Sequence, residues 1–123
     1  DAITVAREQV ASLINAKPNE IFFTAGGTES DNWAVFGVAD KLREKGNHII
    51  TTKIEHHAML HSCEFLEKSG FEVTYLDIDE TGRININELV ELVRKESNKK
   101  VYLLGHSMGS FMCQDYIQRY TKS

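Results

Sequence analysis

Short runs of β-branched and aromatic residues alternate with helix-patterned segments along this chain, and no other feature restricts its fold so tightly. Ile21-Phe22-Phe23-Thr24, His48-Ile49-Ile50-Thr51-Thr52, Phe71-Glu72-Val73-Thr74-Tyr75-Leu76 and Val101-Tyr102-Leu103-Leu104 read as strands. Ahead of the first, Ile3, Ala6, Val10, Leu13 and Ile14 recur at helical spacing, which predicts a helix over roughly residues 2 to 16. Lys17-Pro18 ends it, because proline disfavours helical dihedrals in its predecessor. A second helix opens at Thr28-Glu29-Ser30-Asp31, whose acids complement the macrodipole, and runs to Lys45 with Gly46 as its left-handed cap. Ala58 to Ser69, capped by Gly70, Glu88 to Glu96 and Phe111 to Tyr120 supply three more.

Strands that alternate with helices imply βαβ units, right-handed crossovers and a parallel sheet covered on both faces. The expected fold class is therefore α/β: a three-layer α/β/α, Rossmann-like domain with a four-stranded parallel sheet, strands ordered 3-2-4-1 by their place in the chain. At 123 residues the chain suits a single domain, 1–123, large enough to bury a core without a metal or disulfide staple. The first strand is the weak point of this layout: it must find the fourth strand or recruit another copy, as a homodimer or swapped assembly.

Composition narrows the function classes. A net charge of −4 argues against nucleic acid as the main partner, since phosphate contacts require clustered Lys and Arg and Lys99-Lys100 is too short a run. With 41% hydrophobic and 26% charged residues and a single proline, neither disorder nor a Pro-rich linker is indicated. No signal peptide or membrane span is visible. Cys63 and Cys113 lie far apart with no paired spacing and read as reduced thiols of a cytoplasmic protein.

Two turns carry candidate chemistry. Gly26-Gly27-Thr28 lies between a strand and a helix and is physically an anion site, because small residues admit a phosphate to backbone N–H groups at the positive helix end. The plainer alternative is that the glycines only make the turn. Gly105-His106-Ser107-Met108-Gly109 has the G-x-S-x-G form of a nucleophile elbow, with Ser107 as nucleophile and the Met108 N–H as an oxyanion donor. The acid and histidine of such a site normally come later in the chain, and only fourteen residues follow. In the expected strand order the base would be His56 or His57 at a neighbouring strand end, giving a Ser107-His56 dyad; the alternative is a good strand-to-helix connector and nothing more.

Two further patterns have structural explanations. Asp77-x-Asp79-x-Thr81-Gly82, with Glu88 at the twelfth position, spells a calcium loop, but a strand rather than a helix enters it. His57 and His61 are four apart on a helix, with Cys63 on another face, and a solvated helix face is the commoner meaning of such a pair. No metal is assigned.

Residues 1–97 resemble the cofactor-binding region of cysteine desulfurases, of the class V aminotransferase-like fold. Ala6-Arg7, Leu13-Ile14-Asn15-Ala16, Glu20-Ile21-Phe22-Phe23-Thr24, Gly26-Gly27-Thr28-Glu29-Ser30-Asp31-Asn32, His48-Ile49-Ile50-Thr51-Thr52, Ile54-Glu55-His56 and Gly70 to Leu76 carry the likeness. The resemblance implies pyridoxal phosphate as cofactor, its phosphate held at Gly27 and Thr28 and its pyridine ring stacked on His56. Residues 98–123 resemble the strand-elbow-helix of lysophospholipase-like α/β-hydrolases, through Val101 to Phe111 and Asp115-Tyr116-Ile117. A desulfurase would continue past residue 97 to an Asn-Asn-Glu turn, an Asp for the pyridine nitrogen, a Ser-x-His-Lys segment and a catalytic cysteine, none of which occurs here. The expectation is an engineered or recombined chimera, joined near Ser97 to Lys100, with incomplete active sites and no evolved catalytic activity. Residual phosphate or pyridoxal phosphate binding at the Gly-Gly-Thr turn and weak ester cleavage at Ser107 are the alternatives.

Overall fold

The computed structural model describes residues 1–96, 98 and 100–120. They gather into two compact units, the first Asp1–Ser30 and the second from Asp31 onward.

In the first unit, helix α1 (Ala2–Leu13) starts because Asp1 caps it, its carboxylate accepting from the Thr4 N–H at 2.8 Å. It stops earlier than the Pro18 signal predicts. Asn15 takes a left-handed φ of 55° and the Ala16 N–H reaches back to the Ala11 carbonyl at 2.8 Å, a Schellman-type end in which asparagine replaces the usual glycine. Pro18 instead opens a single 3-10 turn, Pro18–Glu20, where Glu20 Oε2 accepts from the Lys17 N–H at 2.7 Å. Ile21 is extended but joins no ladder; its carbonyl accepts from Arg7 Nε at 3.1 Å, and the Arg7 guanidinium lies over the Phe23 ring. The first predicted strand, Ile21-Phe22-Phe23-Thr24, thus joins no ladder among the described residues. Helix α2 (Gly27–Leu42) follows, beginning in this unit and continuing into the second from Asp31.

The second unit is built on β1 (His48–Thr52), helix α3 (His57–Lys68) and β2 (Glu72–Leu76). β1 and β2 pair in parallel, His48 opposite Glu72 through Thr52 opposite Leu76, and α3 is the crossover a parallel pair requires. Gly70, at φ 95°, ends α3 with the Phe71 N–H on the Leu66 carbonyl at 3.0 Å, as its glycine predicts. Gly46 is different. It does not adopt the left-handed conformation expected of it; α2 ends at Leu42, whose carbonyl accepts from both Lys45 and Gly46 N–H groups.

Ala58, Ser62, Cys63 and Leu66 form the buried stripe of α3, spaced as one helix face. Leu66 joins Val35, Ala39 and Phe71 in the core, with Phe36, Ile49, Met59 and Val73 packed around it. Ser62, at 1% exposure, places Oγ 2.8 Å from the Ala58 carbonyl and 2.7 Å from Asn32 Oδ1, so its single proton is always engaged. At the other end of the strands His48 is held between Thr74 Oγ1, 2.8 Å from Nε2, and Glu96 Oε1, 3.3 Å from Nδ1.

After β2 the chain makes a tight polar turn. Gly82 sits at φ 80°, Ile78 and Ile84 form an isolated bridge, and Asn85 caps helix α4 (Ile86–Lys95) by accepting from Asn87 and Glu88 N–H groups. Val101 to Leu104, the fourth predicted strand, is outside any ladder, with side chains 51% to 54% exposed. Helix α5 (Met108–Tyr120) follows. Among the described residues the sheet therefore has two strands rather than four. The physical reason is common to both misses: β-branched and aromatic residues favour extended backbone, but a strand exists only where a neighbour supplies the ladder. What stands is the α/β class, the parallel pairing of the second and third predicted strands, and five α-helices among the described residues.

Candidate functional site

The Gly-Gly-Thr turn is where the sequence places it. Thr24, Ala25 and Gly26 lead into α2, whose first residue is Gly27, and the turn is knitted by its own polar groups. Glu29 Oε2 accepts from the Ala25 N–H at 2.6 Å, and the Thr24 and Ser30 hydroxyls lie 2.6 Å apart. A Cβ added at Gly26 or Gly27 would meet no atom within 4 Å, so the start of the helix faces open space. First-turn N–H groups have no acceptor inside a helix, and together with the positive dipole end they suit an anion. Glu29, already committed to Ala25, is the one charge in that turn that opposes it.

In the second unit, His56 caps α3: its Nδ1 accepts from the Ala58 N–H at 3.2 Å, which leaves Nε2 as the protonated nitrogen of the neutral ring. The His56 ring lies near two others, with centroids 6.4 Å from His57 and 6.3 Å from His106, the latter pair inclined by 28°. His57 and His61, one turn apart, have centroids 5.9 Å apart. Among the described residues no group of three or more His, Cys, Asp or Glu side chains is arranged to hold a metal ion.

The elbow is formed as a backbone shape. Ser107 adopts a left-handed φ of 53°, an uncommon conformation for a residue with a side chain, and the Gly109 and Ser110 N–H groups bond the His106 and Ser107 carbonyls at 2.9 and 3.0 Å. Met108 begins α5 and is exposed. No hydrogen bond joins Ser107 to His56 or His57 among the described residues. The imidazole beside Ser107, that of His106, is turned to Asp31 instead: Nδ1 lies 2.8 Å from both carboxylate oxygens. This pair, 75 residues apart in the chain, has no local sequence signal.

The calcium spelling resolves into a turn that satisfies itself. Asp79 Oδ1 accepts from the Thr81 N–H at 2.8 Å, the Thr81 hydroxyl at 2.7 Å and the Arg83 N–H at 3.0 Å. Hydrogen bonds from Arg83 and Thr81 hold the Asp79 carboxyl below its ordinary value. Burial, with Glu55 and Glu64 nearby, pushes the Cys63 thiol up. The Tyr75 phenol is raised by burial first and then by Glu67, Cys63 and Glu64, and its hydroxyl is enclosed without a hydrogen-bond partner. An apolar groove lined by Phe36, Phe65, Leu66 and Phe71 lies under Arg43, whose guanidinium is 5.2 Å from the Phe71 ring centre; it contains none of the predicted site residues. No helix among the described residues is long and apolar enough to cross a membrane.

The family model for aminotransferase class-V matches residues 1–109. A cysteine desulfurase IscS of Clostridium botulinum is 54% identical over 96 residues, covering 78% of this chain and 24% of the relative. That of Methanosarcina thermophila is 53% identical over 96 residues, and a putative cysteine desulfurase IscS 1 of Bacillus subtilis is 48% identical over 102 residues, 83% of this chain and 27% of its own. Among solved structures, a NifS-like protein superposes with a TM-score of 0.63 at 41% identity, covering 73% of this chain and 25% of that one. SspA in complex with cysteine gives 0.59 at 46% identity over 73% of this chain and 26% of its own. The chain thus spans about a quarter of the length of the curated relatives it matches.

These matches overturn the chimera. The match spans the supposed join at Ser97 to Lys100 and includes Gly105 to Gly109, so nothing supports a hydrolase segment beginning at residue 98 or Ser107 as its esterase nucleophile. The expectation of an engineered, catalytically silent protein falls with it, since relatives more than 50% identical are named as enzymes. The chain belongs to the aminotransferase class-V family.

Proposed function

We propose that this chain supplies cofactor-binding elements of a pyridoxal phosphate-dependent cysteine desulfurase. The observation that carries the reading is the start of α2: a helix of 16 residues that opens on Gly27 into free space, in a chain 54% identical over 96 residues to a cysteine desulfurase. Gly27 and Thr28 would receive the phosphate through first-turn N–H groups, with the Thr28 hydroxyl as a further donor. His56 would lie against the pyridine ring. When bound, pyridoxal phosphate acts as an electron sink for the amino-bearing carbon of an amino acid, here cysteine.

The contribution of these residues is to bind and to orient. His56 is suited to the second task because its Nδ1 is tied to the Ala58 N–H, so the ring cannot turn freely about its side-chain bonds. Glu29 Oε2 is held to the Ala25 N–H, which fixes where its negative charge lies in the turn. The proposal includes a cytoplasmic setting, in which Cys63 and Cys113 stay as free thiols.

Equilibrium dialysis of the 123-residue chain with pyridoxal phosphate tests the reading. Saturable binding is expected, weakened at least about tenfold in Gly27→Asp, which sets a carboxylate where the phosphate should go while remaining favourable for a helix start. Absence of saturable binding, or equal binding by the two proteins, would overturn it.

A further inference from the structure

Asp31 is only 13% exposed at its side chain, and both its oxygens are 2.8 Å from His106 Nδ1. A carboxylate held largely out of water needs donors, and this geometry makes Nδ1 the protonated nitrogen of His106. The His106 ring is thereby anchored at one edge. The ring is stacked with that of His56, 6.3 Å away between ring centres and 28° from parallel. His56 is anchored independently, through Nδ1 and the Ala58 N–H. Two imidazoles from segments far apart in the sequence are thus each pinned by one nitrogen, in nearly parallel planes.

We propose that the Asp31-His106 pair is a positioning device for His56, fixing the plane in which that ring meets a planar heteroaromatic ligand. The inference rests on the reading of His56 as the ring-facing residue of a pyridoxal phosphate site. The His56 backbone bond alone leaves the imidazole free to rock about the axis through Nδ1; a second ring held 6.3 Å away limits that motion on one side. His106 itself is steadied by Asp31, which sits on helix α2 rather than on a loop. A supporting shell of this kind, packed behind a ligand-facing side chain, is what sets its geometry to within fractions of an ångström.

The test uses the 123-residue chain, with side-chain NMR of His56 as one readout and equilibrium dialysis as the other. In Asp31→Ala and in His106→Ala the His56 ring resonances should shift and broaden, and affinity for pyridoxal phosphate should fall about tenfold, the worth of one hydrogen bond to a charged group. Asp31→Asn keeps an acceptor for Nδ1–H and should restore both readouts to near the parent. Binding of inorganic phosphate should be unchanged in His106→Ala, which alters neither Gly27, Thr28 nor the acids at the start of α2. Should an alanine variant fail to fold, His106→Gln retains a donor for Asp31 without a ring, and His56 should respond as to alanine. Unmoved His56 resonances in the folded variants, or a shift that Asp31→Asn does not reverse, would overturn the proposal. A parent chain that binds no pyridoxal phosphate would defeat the cofactor reading alone, and the His56 resonances would still decide the positioning role.

Discussion

Gly105 stands so close to Gly109 that a Cβ on the first would lie 2.5 Å from the carbonyl oxygen of the second. Backbone cannot yield as a flexible side chain does. Gly105→Ala should therefore open the turn and destabilise its surroundings by about 1–3 kcal/mol, the usual cost of overpacking. Gly109→Ala is the matched control, because its Cβ would meet nothing within 4 Å and alanine is the better helix former. Hydrogen exchange should show lost protection at the start of α5 in the first variant and unchanged or improved protection in the second.

Leu66, 6% exposed between Val35, Ala39 and Phe71, is the central side chain of the core. Leu66→Ala should cost about 2–5 kcal/mol in denaturant unfolding, enough to unfold a marginal domain. Its neighbour Phe65 is 60% exposed and meets the Phe36 ring edge-on at 5.5 Å. Phe65→Ala should cost no more than about 1 kcal/mol, and a cost equal to that of Leu66→Ala would show that the core lies elsewhere.

Asp79 gives a pH dependence whose sign is set by its hydrogen bonds. With its folded pKa below the ordinary 3.8, the group binds protons less readily folded than unfolded. Its contribution is complete above the unfolded value and is lost as the pH falls through the folded one. The stability difference between the parent and Asp79→Asn should accordingly be constant from about pH 5 to 7 and shrink below about pH 4. A difference that grows on acidification would contradict the bonding described for this turn. Calcium at millimolar concentration should give no heat in a calorimetric titration, because Asp79 Oδ1 already serves Thr81 and Arg83.

Cys63 is 2% exposed and its thiol is pushed up by burial, whereas Cys113 is half-buried. Only the thiolate reacts, and only where reagent can reach it. In the native chain an aromatic disulfide reagent should modify Cys113 at least about tenfold faster than Cys63, and the two rates should converge in urea. Equal native rates would mean that α3 opens from the core more readily than its packing implies.

How far the fold was legible follows from what each element depends on. β1 and β2 could be read because dense β-branched runs are bounded by Gly46-Asn47 and Gly70, and the glycine end of α3 was equally plain. Val101 to Leu104 has the same local chemistry, yet pairing is not a local property, and so the same rule that finds two strands also marks two segments that join no ladder among the described residues. The end of α1 was attributed to Pro18, when Asn15, the next most tolerant residue after glycine for a left-handed turn, was the available signal. Within the candidate site the Gly27 helix start was visible because it is a contiguous motif. The Asp31-His106 bond was not, because nothing in either neighbourhood announces a partner 75 residues away. Ser107 shows the opposite failure. Its five-residue motif forms an elbow-like turn, yet the family pattern extends through those same residues.

The parallel pairing of β1 with β2 also governs the order of events in time. An antiparallel pair can zip from a hairpin, but here segment 53–71 must fold back before the first interstrand bond between β1 and β2 can close. Docking of α3 and registration of the strands are then one kinetic step. Mutations at Leu66 and Ile49 should slow refolding in proportion to the stability they remove, while those in α1 should chiefly leave that rate unaltered.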